Sequence, residues 1–281
     1  MNQEKWDIRI KPRVGWFEIN FKEIFRYKDL ILLFVKRDFV TFYKQTILGP
    51  LWYIIQPLIN TLVFTVIFGN LAKISTDGIP PFIFYLSGTV VWGYFASCIT
   101  LTSNTFTKNE QIFGKVFFPR ITVPIAHVII SLLQFMIQFF IFICFLIYFK
   151  INGSAIFPNL YILLLPLVLL QMAILGLGFG ILISSLTTKY RDLTFVMSFF
   201  VQIWMFATPI VYPFSIIPEK YKLYAALNPM TSIVEIFRGA FLGVNSIELI
   251  HIIISLVVTL IIFFIGFLLF NKIEKSFMDT I

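Results

Sequence analysis

Charged side chains are scarce in this chain of 281 residues. Asp, Glu, Lys and Arg make up 13% of it, against about 25% in soluble domains, while 59% is hydrophobic and 35 residues are Phe. A soluble core could not hide this much apolar surface, because a small globular protein keeps a large polar exterior. The composition excludes an ordinary soluble protein and predicts one that is embedded in lipid.

Residues that build metal sites, disulfides and catalytic sites are also few. The two histidines, His127 and His251, lie away from any carboxylate pair or Cys/His cluster with metal-ligand spacing. The two cysteines, Cys98 and Cys144, lie inside apolar runs, and the sequence has no GxxxxGK[ST] loop to cradle nucleotide phosphates. We therefore expect no catalytic site, metal or cofactor in this chain, and an energy source outside it.

Long runs without charge fill most of the chain. A helix needs about 20 residues to cross the hydrocarbon core of a bilayer, and six charge-free runs reach that length. Because no run carries a charge at its centre, transport driven by an ion gradient is disfavoured. The predicted fold is all-α and integral to the membrane, with six spans near residues 50–71, 81–103, 121–149, 159–184, 193–212 and 249–270.

Positive charge outside the predicted spans is unevenly distributed. The chain is divided into an N-terminal arm, residues 1–49, and a transmembrane domain, residues 50–281. Of the 22 Lys and Arg residues, seventeen fall on the side of the membrane that carries the arm, and five fall on the opposite side. Lys and Arg accumulate on the cytoplasmic side of membrane proteins. Both termini are therefore predicted to be cytoplasmic, and the net charge of +8 is attributed to membrane flanks rather than to a nucleic-acid partner.

Three segments outside the spans have patterns of their own. In the arm, Phe17, Phe21, Ile24 and Phe25 recur at helical spacing, which predicts an amphipathic helix in the membrane interface. The connector 104–120 combines polar and apolar residues in a way that suggests docking. Residues 213–248 are divided by Pro and Gly into pieces too short to span, which predicts short re-entrant or interfacial helices between spans 5 and 6. Within them Glu235 and Arg238 are expected to form a surface ion pair rather than a catalytic pair.

Polar side chains recur on one face of two predicted spans. In the third span His127, Ser131, Gln134 and Gln138 share a face, and such a face either lines a polar passage or joins helices through hydrogen bonds. Both alternatives stay open. Aromatic faces stack on sugar rings while amides bind hydroxyls, so a glycan passage would use this mixture, although Phe residues also simply face lipid. The candidate lining residues are Gln56, Asn60, Phe64, Trp92, Phe95, Gln134, Gln138, Phe195 and Phe199.

In the fourth span, Gly176-x-x-x-Gly180 lies in an apolar run without a nearby Lys. This spacing of small residues is typical of helices that pack closely in lipid. It therefore predicts a tight helix contact rather than a nucleotide loop.

Motifs along nearly the whole chain resemble one transporter family. They run from Arg37-Asp38 through Tyr43-Lys44-Gln45-Thr46-x-Leu48-Gly49-x-Leu51-Trp52-x-x-x-Gln56-Pro57 to Ser87-Gly88-x-x-x-Trp92, Phe118-Pro119-Arg120, Tyr190-Arg191-Asp192, Thr208-Pro209-x-x-Tyr212-Pro213, Asn228-Pro229-Met230 and Phe237-Arg238. In their order and spacing they resemble the permease subunits of ABC-2 type polysaccharide exporters, which move O-antigen, capsule or teichoic acid chains.

The resemblance implies a bacterial inner-membrane homodimer that conducts undecaprenyl-diphosphate-linked polysaccharide. Two separate ATPase subunits would bind ATP and Mg and dock beneath it, so this chain is not expected to be an enzyme. Alternatives are an ABC-2 exporter of a small amphiphile such as a drug or antibiotic, and an integral-membrane lipid or sugar transferase. The implied roles are ATPase coupling for Phe113, Lys115, Phe117 and Phe118, binding of the lipid-diphosphate head for Arg37, Lys44, Leu48, Gly49 and Arg120, and an outer gate for Tyr212, Asn228, Glu235 and Arg238.

Overall fold

The computed structural model describes residues 21–44, 47–190, 192–244 and 248–276. Within these ranges all regular elements are helical, which confirms the predicted all-α class. The α-helices are α1 (Phe21–Arg26), α2 (Lys28–Lys44), α3 (Trp52–Phe64), α4 (Pro81–Ser103), α5 (Thr105–Phe113), α6 (Thr122–Ile151), α7 (Leu165–Thr187), α8 (Leu193–Ala207), α9 (Glu219–Ala226), α10 (Pro229–Leu242) and α11 (Leu249–Ser276).

Five helical segments of the described chain are long and apolar enough to cross a membrane. They are Trp52–Leu71, Pro81–Ser103, Thr122–Ile151, Leu160–Thr187 and Leu249–Glu274, the first ending in a π-helical stretch, Thr65–Leu71. The predicted fifth span contains only α8, whose 15 residues reach about 22 Å at 1.5 Å per residue. The count of six spans therefore stays a prediction.

The N-terminal arm packs onto one end of the bundle through α2. Ile31, Phe34 and Val35 are buried on the face that α2 turns towards α6 and the connector before it. The predicted interface helix is described only from Phe21 onward, and Phe17 lies outside the described residues. We call the end of the bundle that carries α2 and residues 104–120 the arm end, and the opposite end the distal end.

Helix α7 holds the centre of the bundle through its glycines. A Cβ added to Gly176 would lie 2.5 Å from the Cβ of Cys98, and one added to Gly180 would lie 2.4 Å from the Cβ of Thr102, both on α4. A Cβ on Gly178 would lie 2.7 Å from the Cα of Phe263 on α11. Because only glycine leaves room for such approaches, the predicted close packing at Gly176-x-x-x-Gly180 is confirmed.

Two short helices, α9 and α10, follow α8 at the distal end. They are separated at Asn228-Pro229, where the Asn228 side chain caps α10 by accepting a hydrogen bond from the Met230 N–H at 3.1 Å. All 14 residues of α10 are buried, and the helix packs against α4, α7 and α11. The expected pair of helices too short to span is therefore present, and α10 plugs the distal end of the bundle.

Candidate functional site

The connector at the arm end presents only part of its predicted docking set. Phe118 is 5% exposed, and its ring lies 5.7 Å from the rings of both Phe34 and Phe113, so Phe113 and Phe118 face the chain's own apolar cluster. Phe117 is 67% exposed, and Lys115 is exposed as well. Lys115 and Phe117 are therefore exposed, whereas Phe113 and Phe118 pack within the chain, and coupling to an ATPase stays a prediction for all four.

Arg120, expected near a substrate phosphate, is bound to the end of α11. Its backbone N–H donates to Glu274 Oε1 at 3.1 Å, and its guanidinium donates to the Glu274 carbonyl oxygen. The guanidinium also lies 5.7 Å from the centre of the Phe113 ring. Through these contacts Arg120 joins the connector to the end of α11.

The turn between α2 and α3 is tight. Gly49 has a φ of +47°, in the left-handed region that glycine adopts without strain, and it opens a short 3₁₀ turn, Gly49–Leu51. Leu48, directly before it, is exposed. The turn brings the chain from the arm into α3 at the arm end.

Arg37 and Lys44 both lie on the outward side of α2. The Arg37 Nε donates to Asp38 Oδ1 at 2.6 Å, and its guanidinium lies 4.9 Å from the centre of the Phe34 ring. A groove of about 440 Å³ follows this side of the helix, and its described lining residues are Leu33, Lys36, Arg37, Val40, Thr41 and Lys44.

The polar face of the third span lies against α4. The hydroxyl oxygens of Ser97 and Ser131 are 2.9 Å apart, and Ser97 donates a hydrogen bond to Gln134 Oε1 at 2.8 Å. Gln138 lies against Gly93 one turn further along, where a Cβ would come within 3.0 Å of Gln138 Oε1. Of the two alternatives left open by the sequence, these contacts favour helix joining for this face.

The candidate aromatic residues separate into two groups. Trp92 and Phe95 are buried in a cluster with Trp204, at ring distances of 6.2 and 5.1 Å, so they join α4 to α8 inside the chain. Phe195 is 80% exposed, and Phe199 is exposed on the same side of α8. Phe64, the fifth aromatic candidate, is half-buried beside Tyr85, so Phe195 and Phe199 are the two that are exposed.

Exposed polar side chains are confined to particular helices in the middle of the bundle. The exposed mid-span residues of α6, α7 and α11 are apolar, for example Leu170 on α7 and Leu260 on α11. On α3, in contrast, Gln56 and Asn60 are exposed, and on α8 Gln202 is exposed. An amide in contact with hydrocarbon loses its hydrogen bonds to water, so these two helices are poor lipid-facing surfaces.

Helices α3 and α8 lie on the same side of α4. Thr61 of α3 lies 3.0 Å from the hydroxyl of Thr89, and Trp204 of α8 contacts Trp92. Because positions 89 and 92 share one face of α4, α3 and α8 cover adjacent parts of that face. Phe64 contacts Tyr85 on the same face at a ring distance of 6.4 Å. The exposed amides and the exposed Phe residues of α8 therefore belong to one side of the chain, which we call the α3/α8 side.

At the distal end, Asn228 joins the end of α8 to the start of α10. Its Oδ1 accepts from the Trp204 indole N–H at 3.1 Å, and its Nδ2 donates to the Thr208 hydroxyl at 2.9 Å. Tyr212, the aromatic residue among the gate candidates, is partly buried and packs against the hydrophobic core. These hydrogen bonds tie the end of α8 to the start of α10, and the role of these residues as a gate stays a prediction.

Glu235 and Arg238 form the expected ion pair, but its expected surface location is wrong. Arg238 Nη1 lies 3.3 Å from Glu235 Oε1. Arg238 is 1% exposed and Glu235 is 2% exposed. The pair is buried because α10 is enclosed on all sides by α4, α7 and α11. The i,i+3 spacing alone does not distinguish a buried pair from an exposed one.

The guanidinium of Arg238 clamps three elements together. It donates to the carbonyl oxygens of Pro209 and Ile210 after α8, the second at 2.7 Å, and to the Ser87 hydroxyl of α4 at 3.3 Å. It also lies 3.7 Å from the centre of the Phe84 ring. Ser87 is about 9 Å along α4 from its distal end, so a charged group lies beside a predicted span whose own sequence is uncharged. The sequence analysis singled out Arg238 but did not predict that it is buried between α4, α8 and α10.

A second polar network was missed by the sequence analysis. Gln171 of α7 donates to the Ser255 hydroxyl of α11 at 2.7 Å, and Ser255 in turn donates to the Pro229 carbonyl at 2.8 Å. In the sequence, the only sign of this network is that Gln171 and Ser255 are isolated polar residues within apolar runs. The network joins α7, α10 and α11. Separately, the described residues contain no cluster of three His, Cys, Asp or Glu side chains that could hold a metal ion.

The sequence of this chain is similar to those of known membrane-transport proteins. An O-antigen export system permease protein, RfbA, of Klebsiella pneumoniae is 28% identical over 255 residues, which cover 90% of this chain and 95% of that protein. RfbA of Myxococcus xanthus is 25% identical, with 78% and 83% covered, and the polysialic acid transport protein KpsM of Escherichia coli is 24% identical, with 87% and 93% covered. Residues 29–242 match the ABC-2 type transporter family, and the chain therefore belongs to that family.

Proposed function

We propose that this chain is the multi-pass membrane subunit of an ATP-driven exporter of lipid-linked polysaccharide in the bacterial inner membrane. The observation that carries the proposal is the similarity to an O-antigen export system permease and to a polysialic acid transport protein, over nearly the full length of this chain and of each relative. ATP and Mg would be bound by a separate ATPase subunit. The substrate is an undecaprenyl-diphosphate-linked glycan of the O-antigen, capsule or teichoic acid type.

The α3/α8 side supports a homodimer with a passage between the copies. Gln56, Asn60 and Gln202 are exposed there, together with Phe195 and Phe199. A second copy related by twofold symmetry would cover this side and place amides and aromatic faces opposite each other, as a glycan passage requires. Trp92, Phe95, Gln134 and Gln138 then support the passage from within each copy.

The arm end is proposed to face the cytoplasm and the ATPase subunits. The cations predicted to be cytoplasmic are concentrated there, and Lys115 and Phe117 protrude from the connector. The lipid-diphosphate head of the substrate is proposed to approach the bundle beside the turn at Leu48 and Gly49. The plug α10, held by Asn228 and Arg238, then closes the outer end.

Docking at the connector makes a testable distinction between two neighbouring Phe residues. Phe117→Asp adds a charge to an exposed apolar surface, so we expect at least about tenfold less ATPase partner to copurify while the chain stays folded. Phe118→Asp instead buries a charge against Phe34 and Phe113, so we expect the folded chain itself to be lost. Copurification and detergent thermal unfolding measure the two effects, and normal copurification with Phe117→Asp would contradict docking through this residue.

Two alternative functions have less support. An ABC-2 exporter of a small amphiphile would share the fold, but the relatives named above export or transport polysaccharides. A lipid or sugar transferase would need an acid/base cluster at a membrane face, and in the described part of the chain the buried carboxylate Glu235 is engaged with Arg238.

Removal of the chain from its native cells tests the function. We expect the polysaccharide to disappear from the cell surface and undecaprenyl-linked glycan to accumulate inside, both restored by a plasmid copy of the chain. Inactivation of the partner ATPase by replacing its P-loop Lys should have the same effect, because that Lys binds the nucleotide phosphates. Normal surface glycan without internal accumulation, in cells that lack a second exporter, would refute the proposal.

A further inference from the structure

The groove on α2 is lined both by positively charged side chains and by apolar side chains. Lys36, Arg37 and Lys44 supply cations, while Leu33 and Val40 supply an apolar floor. These positions recur at helical spacing on one side of α2, and the opposite side is packed on the bundle through Phe34. Relative to the described residues, the groove therefore opens away from the helix bundle, towards the surroundings of the arm end.

The level of the groove along the bundle is set by two contacts between α2 and the bundle. Asp38 lies 3.8 Å from His127 Nε2, and His127 is in the second turn of α6, a helix long enough to cross the membrane. Phe34, one turn earlier, contacts Phe118 just before α6 begins. The groove therefore lies level with the first turns of a spanning helix, where lipid head groups meet the acyl chains.

The charges that face the groove leave it positive. Arg37 is paired with Asp38, and the imidazole of His127 on α6 faces the same carboxylate. Lys36 and Lys44 make no ion pair within the described residues, and both are exposed. Cations placed at head-group depth above apolar side chains match a lipid that joins a phosphate to acyl chains.

We infer that the α2 groove binds an anionic glycerophospholipid of the surrounding bilayer. Lys36 and Lys44 contact the phosphate, Arg37 adds a partly neutralised cation, and Leu33 and Val40 contact the upper acyl chain. The inference stands apart from the proposed export function. It also reassigns Arg37 and Lys44, which the sequence placed at the substrate's diphosphate, and makes that diphosphate the competing occupant.

Binding of fluorescent phosphatidylglycerol to the full-length chain in phosphatidylcholine nanodiscs tests the inference. A Lys or Arg near an anionic lipid surface strengthens binding about fivefold. We expect Lys36→Gln/Arg37→Gln/Lys44→Gln to weaken binding roughly 25- to 100-fold, the lower value applying if Asp38 already neutralises Arg37. The matched control, Lys108→Gln/Lys115→Gln/Lys189→Gln, removes three exposed arm-end charges outside the groove and should retain most of the binding.

Two further measurements keep the result unambiguous. Lys36→Gln/Lys44→Gln leaves the contacts of Arg37 with Phe34 and Asp38 intact, so it weakens binding without disturbing the fold, and thermal unfolding in phosphatidylcholine checks this. Equal losses in the groove and control variants would assign the effect to general charge at the arm end and overturn the site. Displacement of the phosphatidylglycerol by far lower concentrations of undecaprenyl diphosphate would assign the groove to the substrate instead. Neither measurement depends on export or on the ATPase.

Discussion

Replacing Arg238 by Met is expected to destabilise the chain by about 3–5 kcal/mol, because removing one partner of a buried ion pair leaves the other charge uncompensated. Glu235 would keep its buried position without a cation. The carbonyl oxygens of Pro209 and Ile210 would also lose their donors, which releases the end of α8 from α10. The effect would appear as a lower unfolding temperature in detergent and as less protein in the membrane.

Two companion variants separate the ion pair from the carbonyl clamp. Glu235→Gln also leaves a buried charge, but Arg238 keeps its hydrogen bonds to both carbonyls and to Ser87, and its contact with the Phe84 ring. Because these groups still stabilise the guanidinium, we expect a smaller loss, about 1–2 kcal/mol. Glu235→Gln/Arg238→Met removes both charges, and it should be more stable than the sum of the single losses predicts. A chain with Arg238→Met that unfolds at the wild-type temperature would contradict the clamp.

The membrane helices were predictable from the sequence because hydrocarbon excludes charge. Charge-free runs are long in this chain, and five of them coincide with helices long enough to cross a bilayer. The exception, α8, ends at Ala207 because Thr208 takes an extended conformation before Pro209, and Arg238 binds the freed carbonyls. The local sequence contains the Pro, but the residue that stabilises the break is 29 positions away.

The orientation of side chains outside the spans was less predictable. Phe117 and Phe118 are adjacent and chemically identical, yet one is exposed and the other buried. Their difference depends on where α2 lies, since Phe34 supplies the contact that buries Phe118. Arg120 shows the same limit, because its partner Glu274 is 154 positions away. Contacts of such long range leave no periodic signal in a sequence.

The environment of the candidate lining residues was predictable only in part. The four-residue spacing of Gln56 and Asn60, and of Phe195 and Phe199, places each pair on one face of a helix, and both pairs are exposed. Spacing did not reveal that Trp92 and Phe95 pack against Trp204, nor that Gln202 is exposed beside Phe199. A pattern defines a face of a helix, whereas the neighbours of that face are decided by tertiary packing.

Replacing Gly178 by Ala is expected to destabilise the bundle by about 3 kcal/mol, because the added methyl group meets a backbone that cannot yield. Its Cβ would lie 2.7 Å from the Cα and 2.9 Å from the nitrogen of Phe263. On the other helix, a Cβ on Gly266 would lie 2.3 Å from the Gly178 carbonyl oxygen. Helices α7 and α11 would have to separate along their closest contact. Thermal unfolding in detergent measures the loss.

Gly93→Ala is the matched control for this prediction. It adds the same methyl group inside α4, but the nearest atom is Oε1 of Gln138 at 3.0 Å, at the end of a flexible side chain that can move aside. Alanine also favours a helix over glycine by about 1 kcal/mol at both positions. We therefore expect the Gly93 variant to unfold near the wild-type temperature and the Gly178 variant well below it. Equal stability of the two variants would show that the α7–α11 contact is not the tight seam on which the bundle depends.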